Sequence, residues 1–292
     1  MSDKVITSYK GFDKNMQCRG FQYEVGEEYE MDGGIKCCNR GFHACKSPLE
    51  VWDYYDMLNS RFAEVEQSGK IDEEEKSTKV CSSRIKIKAE LKLADIINIG
   101  VEWLKDITSP SKVKTVGALN DNGDRKKQIG SSGYSAQIGS SGYYAKIGSS
   151  GDSAQIGSSG YYAKIGSSGD YAKIGSSGYY AKIGSSGDYA KIGSSGDYAK
   201  IGSSGDYAKI GSSGDSAQID STGEDSVIMC AGNSSIAKAK VGSWITLAEW
   251  KWSDEKKRDV PVCVKTEYVD GENIKADTWY QLKNGKFVEV NE

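Results

Sequence analysis

Hydrophobic positions recur every nine residues through the middle of the chain. Isoleucine stands at 129, 138, 147, 156, 165, 174, 183, 192, 201, 210 and 219, and from Ala136 onward an alanine precedes each by two places. The full unit reads Gly-(Asp/Tyr)-(Tyr/Ser)-Ala-(Lys/Gln)-Ile-Gly-Ser-Ser. A short strict period of this kind marks a solenoid, in which each unit buries its apolar residues only by stacking on its neighbours. Residues two apart on a strand share a face. The pattern therefore predicts a short strand per unit, with Ala163 and Ile165 inward and Tyr162 and Lys164 outward. The subsequent Gly-Ser-Ser-Gly reads as a tight corner, where glycine supplies left-handed backbone.

A second period sets the number of strands per coil. Tyr-Tyr pairs fall at 143–144, 161–162 and 179–180, and Asp takes the matching place at 152, 170 and 188, each series stepping by eighteen. Two nonapeptides per coil keep each class on its own side. The expectation is a flattened, two-sided β-solenoid with eighteen residues per coil, about 26 Å long at the usual strand spacing. A three-sided coil of twenty-seven residues would mix the classes and ranks second. One outward face then carries Tyr144, Lys146, Tyr162, Lys164, Tyr180, Lys182, Tyr198 and Lys200, flanked by Tyr143, Tyr161 and Tyr179. The other carries Tyr171, Tyr189 and Tyr207 beside Lys173, Lys191 and Lys209. Cation–π contact between neighbouring columns is expected to offset repulsion among the stacked lysines.

The flanks read differently. Residues 1–118 show mixed α+β patterning: strands over 5–12, 21–29, 35–38, 61–67 and 83–91, and a helix over 93–104. Ser47-Pro48-Leu49-Glu50 combines an N-cap serine, a first-turn proline and a capping-box glutamate, predicting a helix to about Leu58. Asp72 to Lys76 reads as a solvated loop, Pro110 as a helix exit, and 116–128 as an irregular first coil. The solenoid is assigned to 119–241 and a C-terminal β cap to 242–292. In the cap, Trp244, Trp250 and Trp252 share one parity and are expected to cover the last coil, and Asn284-Gly285 signals a hairpin. Trp279 and Tyr280 are expected in the hairpin core. The fold class is mainly β.

Composition narrows the chemistry. The 292 residues carry a net charge of −3, one histidine and seven cysteines. Near-balance of Lys and Asp in the repeat argues against nucleic acid as partner and against mimicry of DNA. No apolar run suits a membrane span, and Met1 to Lys4 lack a signal-peptide core. An odd, dispersed set of cysteines reads as reduced thiols in a cytoplasm. Each corner offers at most one Asp, too few oxygens for a calcium-binding nonapeptide roll, and the glycine-serine corners lack the ending of a phosphate-binding loop.

The densest chemistry lies in Cys37-Cys38-Asn39-Arg40-Gly41-Phe42-His43-Ala44-Cys45. Cys38, His43 and Cys45, with Cys18 or Cys81, are the candidate metal ligands, although no Cys-x-x-Cys pair is present. The competing reading is of small buried thiols and a packed histidine, and no cofactor is expected. Cys45 or Cys38 with His43 is the only candidate nucleophile–base pair.

The strings Tyr9-Lys10-Gly11-Phe12-Asp13, Cys18-Arg19-Gly20-Phe21-Gln22-Tyr23 and Gly41-Phe42-His43-Ala44-Cys45 with Pro48-Leu49 resemble a family encoded largely by phages, prophages and their hosts, over roughly residues 5–105. Ile274-Lys275-Ala276-Asp277-Thr278-Trp279-Tyr280 resembles the segment C-terminal to the repeats in that family. The resemblance implies a mobile-element origin and a cytoplasmic location, and it brings no activity. The N-terminal part is more loosely similar to ADP-ribosyltransferase-like folds, which would make Arg19, His43 and Glu64 or Glu66 the catalytic candidates. The leading expectation is a non-enzymatic interaction protein, its solenoid a rigid spacer or a Tyr/Lys docking face for a host protein, possible targets being a host enzyme or defence system that it would inhibit. The alternatives are an ADP-ribosyltransferase-like enzyme positioned by the solenoid, and a structural component whose solenoid faces pair into a homo-oligomer.

Overall fold

The computed structural model describes residues 4–74, 77–108 and 128–291. The chain divides into two compact units, Met1–Trp103 and Leu104–Glu292. The expected 118/119 boundary, Pro110 and the first coil over 116–128 lie outside the described residues, apart from Gln128.

The N-terminal unit is built from β1 (Ile6–Phe12), the short β2 (Gln17–Cys18) and β3 (Phe21–Gln22), β4 (Glu28–Glu30), β5 (Phe42–Cys45), β6 (Arg61–Glu73) and β7 (Lys79–Leu91), followed by helix α1 (Leu93–Ile107). Strand order is β4-β7-β5-β1-β6, with β7 also paired to β6, so β7, β5, β1 and β6 close into a ring. Its interior packs Phe12, Tyr23, Phe42, Val65, Ile85 and Ile87. Gln67 is fully buried; its amide carbonyl accepts from the Ser8 hydroxyl at 2.7 Å and its NH2 donates to the Phe42 carbonyl at 2.7 Å.

Several local expectations are corrected. The strand expected over 21–29 breaks at Gly26, whose φ of 95° no strand holds, leaving β3 and β4. Residues 35–38 form no strand; Lys36 and Arg40 make an isolated bridge, and the strand begins only at Phe42. Residues 48–53 form a 3-10 helix rather than an α-helix, and Ser47 makes no side-chain cap. The capping-box partner is engaged elsewhere: Glu50 accepts from the backbone N–H and hydroxyl of Thr78 at 3.2 and 3.1 Å. Asp72 and Glu73 finish β6 instead of opening a loop.

In the second unit, strands of four residues recur every nine from β8 (Gln128–Ser131) to β20 (Ile236–Ala239). They alternate between two parallel sheets. The pairing is in register at a step of eighteen, Ile147 on Ile165 and Ile156 on Ile174, which is the two-sided solenoid, about seven coils over residues 128–247. The isoleucines of both sheets, with Ala172, Ala190, Ala208 and Ala217, form one core.

The division between strand and corner differs from the expected one. In the middle coils each strand is Lys-Ile-Gly-Ser or Gln-Ile-Gly-Ser, as in Lys164–Ser167, so the serine after the glycine is inward with the isoleucine; Ser167 and Ser185 are fully buried. The tyrosine lies in the corner. Tyr162, Tyr171, Tyr180, Tyr189, Tyr198 and Tyr207 all hold φ of 56–57°, and Ser135, Ser153 and Ser216 take the same conformation. No described glycine of the repeat has a positive φ. The corner glycine is required for space instead: a Cβ on Gly178 would stand 2.0 Å from the Gly160 carbonyl oxygen.

Both sheets end in antiparallel strands. β21 (Trp244–Ser253) continues one sheet and pairs with β22 (Arg258–Tyr268); β23 (Tyr280–Lys283) and β24 (Lys286–Glu289) extend the other through the Asn284-Gly285 turn, with φ of 50° and 67°. Trp244 and Trp252 do not cover the last coil: they are exposed, and Ile245 and Leu247, of the opposite parity, face the core; Trp250 alone of the three is partly buried, its indole N–H donating to the Ala231 carbonyl at 2.9 Å. Tyr280, Leu282, Ile274 and Val269 cover it, and Trp279 is buried beneath the Lys238 ammonium at 4.9 Å. Among the described residues no helix is long and apolar enough to cross a membrane.

Candidate functional site

A cleft of about 620 Å³ opens in the N-terminal unit, and Arg19, Cys38, His43 and Cys45 all line it, with Lys10, Cys18 and Lys79. Arg19 and Gly20 form the two-residue turn between β2 and β3, both left-handed, with φ of 52° and 77°. That turn places the exposed guanidinium at the cleft. His43 lies on β5, where its Nε2 accepts the backbone N–H of Cys38 at 2.9 Å. An accepting Nε2 makes the ring neutral, with its proton on Nδ1. Burial, then the Lys10 and Arg19 charges, hold the His43 pKa below its ordinary value.

Lys10 is the group that the sequence reading missed. Its side chain is buried, and Nζ donates to the His43 carbonyl at 3.0 Å, lies 3.5 Å from the Cys18 sulfur, and sits 5.5 Å from the ring centroids of Phe12 and Tyr23. Burial pushes its pKa down. The available signal was parity: Lys10 shares a strand face with Phe12, so a lysine lies on the inward row. Cys18 also bonds the Tyr55 hydroxyl at 2.9 Å. The adjoining wall is aromatic. Phe21 meets Tyr23 and Tyr29 edge-on at 4.8 and 5.3 Å, and Phe42 stands 6.5 Å from Phe21.

Glu64 and Glu66 are not part of this arrangement. Glu64 is opposite Tyr9 across the β1–β6 ladder, Glu66 pairs with Lys88 at 2.9 Å, and neither lines the cleft. The carboxylates at the rim, Glu28 and Glu30, are held by Arg84 at 3.3 and 2.9 Å. The sulfurs do not converge either: Cys38 is exposed and takes a bond from Lys79 at 3.2 Å, Cys81 is buried and donates to the Arg40 carbonyl at 3.1 Å, and Cys45 is buried. Among the described residues no three His, Cys, Asp or Glu groups come together as a metal would need.

On the solenoid, the tyrosines form continuous ladders. Tyr144, Tyr162, Tyr180 and Tyr198 stack with centroids 5.3, 5.0 and 4.8 Å apart, Tyr143, Tyr161 and Tyr179 stack beside them at 5.5 and 5.3 Å, and Tyr171, Tyr189 and Tyr207 stack at the other corner at 5.0 and 4.9 Å. Among the described residues the tyrosines of the repeat contact each other ring on ring rather than the lysines, because the tyrosine sits in the corner while the lysine opens the strand. Lys146, Lys182 and Lys200 are half-buried and Lys164 is buried, whereas Lys173, Lys191 and Lys209 on the other sheet are exposed. Where Asp replaces the first tyrosine it links coils: Asp152 Oδ1 accepts from Asp170 N–H at 3.0 Å, and Asp170, Asp188 and Asp206 repeat the contact at 2.8–2.9 Å.

No curated protein and no solved structure matches the chain. One family model does, and it covers the ring of strands and the first half of α1: residues 6–99 are similar to DUF7666, a domain of unknown function.

Proposed function

We propose that the protein is a non-enzymatic interaction protein whose solenoid is a rigid scaffold and whose tyrosine ladders dock a partner protein. The observation that carries this reading is the double column of Tyr143, Tyr161 and Tyr179 beside Tyr144, Tyr162, Tyr180 and Tyr198, all exposed at one corner of the stack. Exposed tyrosines are the usual anchors of protein interfaces. Rings already ordered by their neighbours lose little side-chain freedom on binding. The lysines that open the strands on the same side, Lys146, Lys164, Lys182 and Lys200, form the more sheltered row of that face. The family resemblance of the N-terminal strings makes a phage or prophage origin, a host protein as partner and a cytoplasmic setting part of the same proposal.

Against the ADP-ribosyltransferase-like alternative, Arg19 and His43 share a cleft that neither Glu64 nor Glu66 lines. The test uses residues that the repeat itself places at these positions: Tyr162→Ser, Tyr180→Ser and Tyr198→Ser together, and Tyr171→Ser, Tyr189→Ser and Tyr207→Ser as the control set. A host protein captured by the wild type should be lost with the first set and retained with the second. Equal capture by both sets would sink the docking reading, and a halved mass in sedimentation for the first set would favour self-assembly instead.

A further inference from the structure

Two of the cations that line the cleft of the N-terminal unit, Lys10 and Arg19, have no carboxylate partner among the described residues. Lys10 is 4 % exposed, and its ammonium bonds a carbonyl and a thiol but no carboxylate among the described residues. Arg19 makes no hydrogen bond or ion pair with any described residue, so its fork of donors is open. The neighbouring acids are committed elsewhere: Glu28 and Glu30 to Arg84, and Glu74 to Lys79 at 3.6 Å. His43 is uncharged and adds no balancing negative charge. Two cations facing one partly buried cleft repel each other more strongly than they would in water. A bound anion relieves that cost, and a guanidinium fork matches the paired oxygens of phosphate or carboxylate.

The other half of the cleft asks for an aromatic ring. Phe21 is 46 % exposed at the tip of the β2–β3 hairpin, next in sequence but one to Arg19. Its edge contacts with Tyr23 and Tyr29 fix its orientation and leave it able to take a further ring. The cleft volume suits a ligand of nucleotide size or smaller. We propose that this cleft binds an aromatic anion, its phosphate or carboxylate held between Lys10 and Arg19 and its ring packed on Phe21. The site is independent of the tyrosine ladders and of any docking there.

Calorimetry on the full chain tests this with two whole ligands, adenosine monophosphate and indole-3-acetate, and two halves, inorganic phosphate and adenosine. At least one whole ligand should bind saturably, about tenfold or more tighter than either half, and which one binds tells phosphate from carboxylate. Arg19→Asn, which keeps a residue tolerant of the left-handed turn, and Phe21→Ser should each weaken it about tenfold, as expected for one lost charged or stacking anchor. Circular dichroism and the thermal midpoint of both variants check that they fold. No heat from either whole ligand at about 10 mM would overturn the proposal. So would phosphate binding as tightly as the nucleotide, or variants that fold and bind like the wild type.

Discussion

A Cβ placed on Gly178 would stand 2.0 Å from the carbonyl oxygen of Gly160, one coil away, whereas one placed on Gly175, three residues earlier, would meet nothing within 4 Å. On this sheet the strand glycine and the corner glycine of the repeat therefore do different work. Gly178→Ala should destabilise the solenoid by about 1–3 kcal/mol, the cost of overpacking against an immovable backbone. Gly175→Ala should be neutral or stabilising by up to about 1 kcal/mol, because it removes unfolded-state freedom from a strand position. Urea midpoints of the two variants decide it, and equal losses would contradict the packing argument.

The Asp column joins coils through Oδ1 rather than through its charge. Asp188→Ala orphans the Asp206 N–H, held at 2.8 Å, and should cost about 0.5–1.5 kcal/mol. Asp188→Asn keeps the acceptor and lowers repulsion along the column, so its thermal midpoint should equal or exceed that of the wild type at low salt.

The hydroxyls of Ser149, Ser167, Ser185 and Ser203 are buried with no hydrogen-bond partner among the described residues. Ser185→Ala removes one unmatched polar group and leaves its Cβ in place. Denaturant titration should show no loss, and a gain of up to about 1 kcal/mol.

Gln67 occupies the interior of the N-terminal ring as a hub for Ser8, Phe42 and Ser82. Gln67→Leu should destabilise this unit by about 2 kcal/mol or more, since the Ser8 hydroxyl stays buried with no partner. The solenoid should unfold as before, so a two-step melt with only the first step moved is the expected record.

His43 is held neutral, its pKa below 6.5, by burial and by the Lys10 and Arg19 charges. The unfolded chain therefore binds the proton at a higher pH than the folded one. Stability from this group is complete above about pH 6.5 and is lost as pH falls through the folded value. The stability of the wild type should drop between about pH 7.5 and 5.5 by more than that of His43→Asn. Equal slopes would remove His43 from the account.

The solenoid was legible because its information is local and repeated. An isoleucine every ninth residue and a tyrosine class every eighteenth determine coil size and register before any contact is known. The same reading misplaced the corner by about two residues. It assigned left-handed backbone to glycine, since glycine has the lowest intrinsic cost there, but the stack puts that conformation on Tyr and Ser and uses glycine where coils touch. Capping at Ser47 failed for a related reason: Glu50 found Thr78, twenty-eight residues away in sequence, and a long-range bond overrode a local one.

The candidate site divides along the same line. Arg19 and His43 could be named from their strings, and Arg19-Gly20 has the composition of the tight turn it forms. That they share a cleft with Lys10 and Phe21, and that Glu64 and Glu66 do not, was decided by ring closure, which brings β1, β5 and the β2–β3 hairpin together from separate parts of the chain. Sequence by itself determined the period, the two faces and the buried columns, because each nonapeptide meets near-copies of itself in register. Tertiary structure alone decided which charges in the N-terminal unit are paired and which are left facing a cavity, because pairing there depends on contacts between residues that no repeat or local pattern relates.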